Sequence, residues 1–279
     1  MNYQELDISI DPLIPFREIA VAKLAEIGFE SFEDSEHGLK AYIPEDQFDE
    51  STVEVVLKEL SELCELSHSQ KLIEQVNWNA EWEKEYQPVV VSPRCRIRAL
   101  FHEPSDDYEF ELIIQPQMSF GTGHHPTTLL MMEHLLESEV SGQRVLDLGT
   151  GTGVLAILAE KMGAVDILAT DIEDYIVGNA RDNVRHNACV NIRVDNAELA
   201  HTKPGKYQTI LANINLNTLI QGLDTILSFA TEGGQIFLSG FYATDAPKLI
   251  QQCESRGLRF VQQKTKDNWA AVSLSYSGA

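Results

Sequence analysis

The spacing of apolar residues changes along the chain and divides it into parts. Tyr3 to Ile10 has apolar side chains at Leu6, Ile8 and Ile10, the two-residue period of a half-buried strand. Pro15 to Ile27 instead places Phe16, Ile19, Ala20, Leu24 and Ile27 on one face of a helix. Phe29 to Phe32 and Leu39 to Ile43 read as two strands around the turn Asp34-Ser35-Glu36-His37-Gly38. A second helix is expected over Asp49 to Leu63, where Val53, Val56, Leu57 and Leu60 recur at helical spacing, and a strand near Cys64 to Ile73 closes the series. The order β-α-β-β-α-β predicts a small N-terminal ferredoxin-like α+β domain over residues 1–75. That arrangement serves many functions and assigns none.

Glu74 to Gln87 is rich in Glu, Asn and Trp, and Pro88 stops it. It reads as a helical linker, residues 76–88, with Trp78 and Trp82 four apart on one face. Two strands are expected near Val89 to Leu100 and Glu109 to Ile114. From about Thr127 helices and strands alternate to the end. The strand candidates are Arg144 to Leu148, Asp166 to Thr170, Asn191 to Val194, Thr209 to Ala212, Gln235 to Ser239, Leu258 to Gln263 and Trp269 to Tyr276. Such alternation predicts a mostly parallel, doubly wound sheet. Only Lys264 to Asn268 joins the last two strands, enough for an antiparallel hairpin but too short for a parallel crossover. Seven strands ending in an antiparallel hairpin is the layout of class I methyltransferases, so residues 89–279 are expected to form one α/β catalytic domain.

Composition narrows the picture. The 279 residues are 43% hydrophobic, enough for a sizeable core, yet no stretch approaches the roughly 18–20 apolar residues of a membrane-spanning helix. The first residues lack the basic and apolar regions of a signal peptide. Cys64, Cys95, Cys189 and Cys253 lie far apart, which fits a reducing compartment and argues against a structural zinc site. A cytoplasmic location is expected, with no membrane association. Net charge is −22, and residues 1–75 carry 18 acidic against 5 basic side chains. Such a surface repels nucleic acid, whose binding needs Lys and Arg against phosphates, and attracts a basic partner.

The candidate chemistry lies after the strand Val145-Leu146-Asp147-Leu148, in the run Gly149-Thr150-Gly151-Thr152-Gly153. Open α/β sheets bind ligands where strand order reverses, at the carboxyl ends of the strands. Glycines let the chain turn sharply and approach a ligand, and a helix starting near Val154 points its N-terminus there. Gly151-Thr152-Gly153-Val154-Leu155-Ala156 formally matches the dinucleotide fingerprint G-x-G-x-x-A, with Asp171 about 20 residues on. The loop by itself therefore leaves NAD open. The fingerprint would start late, however, with Gly149 left over. The whole run, with Asp147 closing the strand, fits the methyltransferase pattern better, in which Asp171 accepts hydrogen bonds from both ribose hydroxyls. Asn213, at the end of the strand Thr209 to Ala212, has an amide oxygen that can receive a substrate amine, or can cap the following helix, a role that also suits Asn215. Thr127 and Thr128 follow Pro126, which favours a first helical turn. No carboxylate or Cys lies at ligand spacing from His124 and His125, so no metal is expected.

Phe120-Gly121-Thr122-Gly123-His124-His125-Pro126-Thr127-Thr128, then Val145-Leu146-Asp147-Leu148-Gly149, Asp171-Ile172 and Leu211-Ala212-Asn213-Ile214, resemble the ribosomal protein L-eleven methyltransferase family (PrmA). The similarity runs from about Asn77 to the C-terminus. Its most specific part is the stretch from Phe120, which generic methyltransferases lack. The resemblance implies a protein methyltransferase using S-adenosyl-L-methionine to trimethylate lysine ε-amines and the N-terminal α-amine of a basic ribosomal protein. It implies that the small N-terminal domain recognises that substrate and that a flexible linker presents different amines. By motif, Thr128, Gly149, Asp171 and Asn213 match the family's cofactor-binding positions, with Thr127, Gly151 and Phe120 as neighbours. A monomer that does not itself bind nucleic acid is expected.

Overall fold

The computed structural model describes residues 2–74, 78–117 and 119–278, apart from the side chains of residues 78–81. The chain divides into two compact units, Met1–Glu85 and Tyr86–Ala279.

The first unit contains β1 (Tyr3–Asp11), α1 (Leu13–Glu26), β2 (Ser31–Ser35), β3 (Gly38–Pro44), α2 (Glu50–Ser61) and β4 (Glu65–Ile73). The strands form one antiparallel sheet in the order β2-β3-β1-β4, the ferredoxin-like arrangement. Leu6, Ile8 and Ile10 alternate onto the helix-covered face and share a core with Ala20 and Leu24 of α1 and with Val53, Val56, Leu57 and Leu60 of α2. Asp49 caps α2: its Oδ1 accepts from the Ser51 N–H at 3.2 Å and its Oδ2 from the Thr52 hydroxyl at 2.5 Å. The first hairpin lies further along than its apolar residues suggest. β2 runs over Ser31–Ser35, not Phe29 to Phe32, and only Glu36 and His37 turn the chain. Pairing sets this register, Ser31 opposite Tyr42 and Ser35 opposite Gly38. Gly38 sits so close to the Ile8 carbonyl that any side chain there would overlap it, while Phe29 is buried in the core before the strand begins. The helix α3 (Trp78–Glu85) also groups with this unit. The face expected to be shared by Trp78 and Trp82 lies outside the described residues.

The second unit opens with a three-stranded sheet, β5 (Val89–Ser92), β6 (Cys95–Arg98) and β7 (Phe110–Ile113), in the order β5-β6-β7. The single strand expected over Val89 to Leu100 is therefore a hairpin. Pro93 has no N–H to give to a ladder, and the Arg94 N–H donates to Ser92 Oγ at 3.2 Å across the turn. Then follow α4 (Pro126–Leu136), β8 (Arg144–Leu148), α5 (Val154–Lys161), β9 (Asp166–Asp171), α6 (Asp174–His186), β10 (Ile192–Asn196), β11 (Tyr207–Asn213), α7 (Leu216–Phe229), β12 (Ala230–Tyr242), α8 (Ala246–Glu254), β13 (Leu258–Lys266) and β14 (Trp269–Tyr276). Seven of these strands form one sheet in the order β10-β9-β8-β11-β12-β14-β13. Neighbours from β10 to β12 are parallel, and β14 is antiparallel to both β12 and β13. The closing hairpin is tighter than the five-residue link expected. Only Asp267 and Asn268 turn the chain, both at positive φ (49° and 66°), as two-residue hairpin turns that follow the sheet's twist require.

Both faces of the large sheet are covered. Val145, Ile167, Val194, Leu211 and Phe237 pack with α4, α5 and α6, while Leu146, Leu168, Ile210, Ala212 and Leu238 pack with α7 and α8. Burial on both faces explains why these strands read as unbroken apolar runs. Among the described residues, no helix is long and apolar enough to cross a membrane.

Candidate active site

Strand order reverses between β8 and β11, so a crevice opens at their carboxyl ends. The register places the expected residues side by side. Leu148 of β8 lies between Thr170 of β9 and Ala212 of β11. The residues that follow, Gly149, Asp171 and Asn213, therefore share one edge of the sheet although they are far apart in sequence.

The glycine loop folds over this edge and is tied to the segment around Phe120. The Thr152 N–H donates to the Phe120 carbonyl at 2.9 Å, and its hydroxyl to the Gly121 carbonyl at 2.6 Å. Gly151 has φ +56°, and a β-carbon there would overlap the Phe120 carbonyl oxygen. The loop also closes on the neighbouring strand, with Thr150 N–H donating to Thr170 O at 2.9 Å and Gly151 N–H to Asp171 Oδ2 at 3.0 Å. Thr150 and Thr152 were not singled out in the sequence, though their alternation with three glycines was visible. Under the loop, Asp147 is fully buried and accepts from the Thr150 hydroxyl at 2.5 Å. Burial pushes its carboxyl up to about 7, against the Thr150 and Ala156 hydrogen bonds and with help from the negative charge of Asp171.

Asp171 accepts the Gly151 N–H on Oδ2 and, at 2.8 Å, the Ile172 N–H on Oδ1. An ionised carboxylate has about four lone-pair sites, so each oxygen keeps capacity for a further donor such as a ribose hydroxyl. Phe120 is half exposed, and its ring lies 4.9 Å from that of His125. The two threonines part company. Thr127 Oγ1 lies 2.8 Å from His125 Nδ1, inside the cap of α4, where His125 also accepts the Thr127 N–H. Thr128, equally buried, has a hydroxyl with no partner. His124 touches Tyr86, Thr122 and the Gln87 carbonyl, all at 3.3 Å. Burial lowers the pKa of His125. Among the described residues no three His, Cys, Asp or Glu side chains cluster as a metal site would require.

The capping question at the end of β11 is answered by Asn215. Its Oδ1 accepts the Thr218 N–H and the Thr218 hydroxyl, both at 3.0 Å. Asn213 is left with a buried Oδ1 that has no partner. Five buried side-chain atoms among the described residues lack a hydrogen-bond partner: Ser119 Oγ, Thr128 Oγ1, Asp147 Oδ1, Asn179 Nδ2 and Asn213 Oδ1. Buried polar atoms are paired in the great majority of cases, so Thr128 Oγ1 and Asn213 Oδ1, buried and without partners on segments expected at the cofactor site, suit a polar ligand. A cofactor with a charged amino-acid end and a ribose suits this donor and acceptor set.

The family model for ribosomal protein L11 methyltransferase (PrmA) matches residues 18–276. A relative of that name from Phocaeicola vulgatus is 41% identical over 278 residues, covering 98% of this chain and 99% of the relative. One from Porphyromonas gingivalis is 41% identical over 262 residues, covering 92% and 90%. Among solved structures, a ribosomal protein L11 methylase from Lactobacillus delbrueckii subsp. bulgaricus superposes with a TM-score of 0.64 at 28% identity, over 69% of this chain and 100% of that one. A methyltransferase from Pyrococcus furiosus, 16% identical, shares the fold over 60% of this chain with a TM-score of 0.50. The chain thus belongs to the ribosomal protein L11 methyltransferase (PrmA) family.

Proposed function

We propose that this protein methylates ribosomal protein L11, the substrate for which its relatives are named, at lysine ε-amines and the N-terminal α-amine, and does so repeatedly. The observation that carries the reading is the pair of buried acceptors without partners, Thr128 Oγ1 and Asn213 Oδ1, borne by segments that meet the carboxyl edge where Asp171 stands. S-adenosylmethionine supplies a methyl group on a sulfonium, open to in-line displacement by an amine.

The chain's own residues have two tasks. The first is to hold the cofactor: Asp171 for the ribose hydroxyls, the Gly149–Gly151 backbone and Thr128 for the methionine end, with Thr127 and Phe120 shaping the surrounding loop. The second is to present a neutral amine. A lysine amine with pKa about 10.4 is mostly protonated at neutral pH, and removal from water lowers that value. While the neutral amine still carries an N–H, in the first two transfers, Asn213 Oδ1 accepts it and so aims the lone pair at the methyl, and positioning of this kind supplies much of the acceleration. The proton leaves to water before transfer, so no strong base is needed. The acidic first 75 residues, with 18 acidic side chains against 5 basic, offer a recognition surface for a basic protein.

The test is incubation with labelled S-adenosylmethionine and a total ribosomal protein extract. Intact-mass analysis should show one basic protein gaining whole methylene units. Label in RNA, or in no protein, would overturn the substrate assignment. The two site roles separate by measurement. Asp171→Ala is expected to weaken cofactor binding by about 1–3 kcal/mol, roughly 5- to 150-fold by calorimetry. Asn213→Ala should lower kcat by up to about 100-fold with a smaller change in cofactor affinity. Unchanged cofactor affinity in the first variant would remove Asp171 from the site.

A further inference from the structure

Three asparagines lie four residues apart on α6 and its C-cap: Asn179, Asn183 and Asn187. All three are buried, at 2%, 0% and 9% exposure. Four residues advance a helix by about 6 Å, close to the roughly 6.6 Å between alternate residues of a strand. Such a row of amides can therefore pair with a strand edge as a second strand would. β7 has such an edge, because among the described residues β6 is its one strand neighbour. Asn187 Oδ1 accepts the Ile113 N–H at 2.9 Å, and its Nδ2 donates to the Ile113 carbonyl at 2.7 Å. Two residues on, Asn183 Oδ1 accepts the Gln115 N–H at 2.9 Å.

Asn183 does something more. Its Nδ2 donates to the Thr152 carbonyl in the glycine loop at 2.9 Å. Thr152 in turn holds Phe120 and Gly121 through its N–H and hydroxyl. One side chain therefore holds Gln115 directly and Phe120 and Gly121 through Thr152. It thereby links the loop before α4 to the loop after β8. The next amide nitrogen along the row, Asn179 Nδ2, has no partner.

We propose that Asn183 is a positioning residue for methyl transfer, clamping the two loops that bound the cofactor crevice, whereas Asn187 serves only the fold. This rests on methyl transfer at the β8–β11 crevice, but not on which protein carries the amine.

The test compares full-length Asn183→Ala with Asn187→Ala. Both remove bonds to the same edge, so a merely structural row lowers the melting temperature in both and moves cofactor affinity in neither. The clamp predicts that Asn183→Ala weakens S-adenosylhomocysteine binding about tenfold, the scale of one buried hydrogen bond, at a temperature where both variants are folded. Asn187→Ala should keep wild-type affinity. Wild-type affinity in Asn183→Ala, or equal weakening in both variants, overturns the proposal. If Asn183→Ala does not fold, Thr152→Val removes the hydroxyl link at nearly constant shape. It should weaken binding similarly, with recovery in Thr152→Ser; wild-type affinity in Thr152→Val overturns the proposal. A failed methyl-incorporation assay with intact binding would instead count against the substrate reading, so the two failures are distinguishable.

Discussion

Gly151→Ala is expected to weaken cofactor binding by at least about 100-fold and to lower the melting temperature. Gly151 has φ +56°, where a β-carbon costs roughly 1–2 kcal/mol in an L-residue. The larger cost is steric. The new carbon would overlap the carbonyl oxygen of Phe120, which is backbone and cannot swing aside as a side-chain end could. Relief requires the two loops to part. That movement breaks the Thr152 N–H bond to Phe120 and shifts the Gly151 N–H away from Asp171. Strain and lost hydrogen bonds together amount to about 3 kcal/mol or more, which is the predicted 100-fold. Gly142→Ala is the matched control. Its φ is +71°, yet nothing lies within 4 Å of the added carbon, so it carries the backbone cost without the clash. Calorimetry with S-adenosylhomocysteine and thermal melting of both variants decide the matter. Equal behaviour of the two would mean that the approach of the loops has no bearing on the site.

The second large effect is the contribution of one buried carboxyl to the dependence of stability on pH. Burial raises Asp147 from 3.8 to about 7. Between those values the folded protein holds a proton that the unfolded chain has released. The stability this group contributes is fully present below pH 3.8 and is lost as pH rises through about 7. At about 1.4 kcal/mol per pH unit the loss is roughly 4 kcal/mol across the window. Asp147→Asn cannot titrate. Urea unfolding of both proteins from pH 4 to pH 8 should therefore show the wild type losing ground steadily to the variant as pH rises. A difference independent of pH would mean that Asp147 does not hold its proton in the folded state. The buried Oδ1 without a partner is the structural sign of the same cost, since an ionised carboxylate there would lack a donor for that oxygen.

Sequence and structure agree most closely where one physical signal acts alone. Val53, Val56, Leu57 and Leu60 fall on the buried face of α2, because helical spacing and burial coincide there. The short link before Trp269 permits only an antiparallel pair, and β13 and β14 form one. The first hairpin departs by two residues or more, since Phe29 marks burial in the core rather than membership of a strand. The division of Val89 to Leu100 into β5 and β6 follows from Pro93, which has no N–H to give to a ladder.

At the site, residue types and order were legible: Gly-rich turn, acidic strand end, Asn at the end of a later strand. By itself the sequence pointed to a nucleotide-type cofactor after β8 and to a methyl donor rather than NAD, because those signals are local and depend on backbone freedom and chemical type. Only the tertiary structure decided which polar groups stay available. Thr127 and Thr128 are adjacent and equally buried, yet the first is spent on the cap of α4 and the second is not. Asn213 and Asn215 are both plausible caps, and α7 uses Asn215. The Asn183 clamp joins residues 31 and 68 positions away. Hydrogen-bond partners of this kind are settled by which backbone groups come within about 3 Å after folding, and no spacing along the chain encodes that distance.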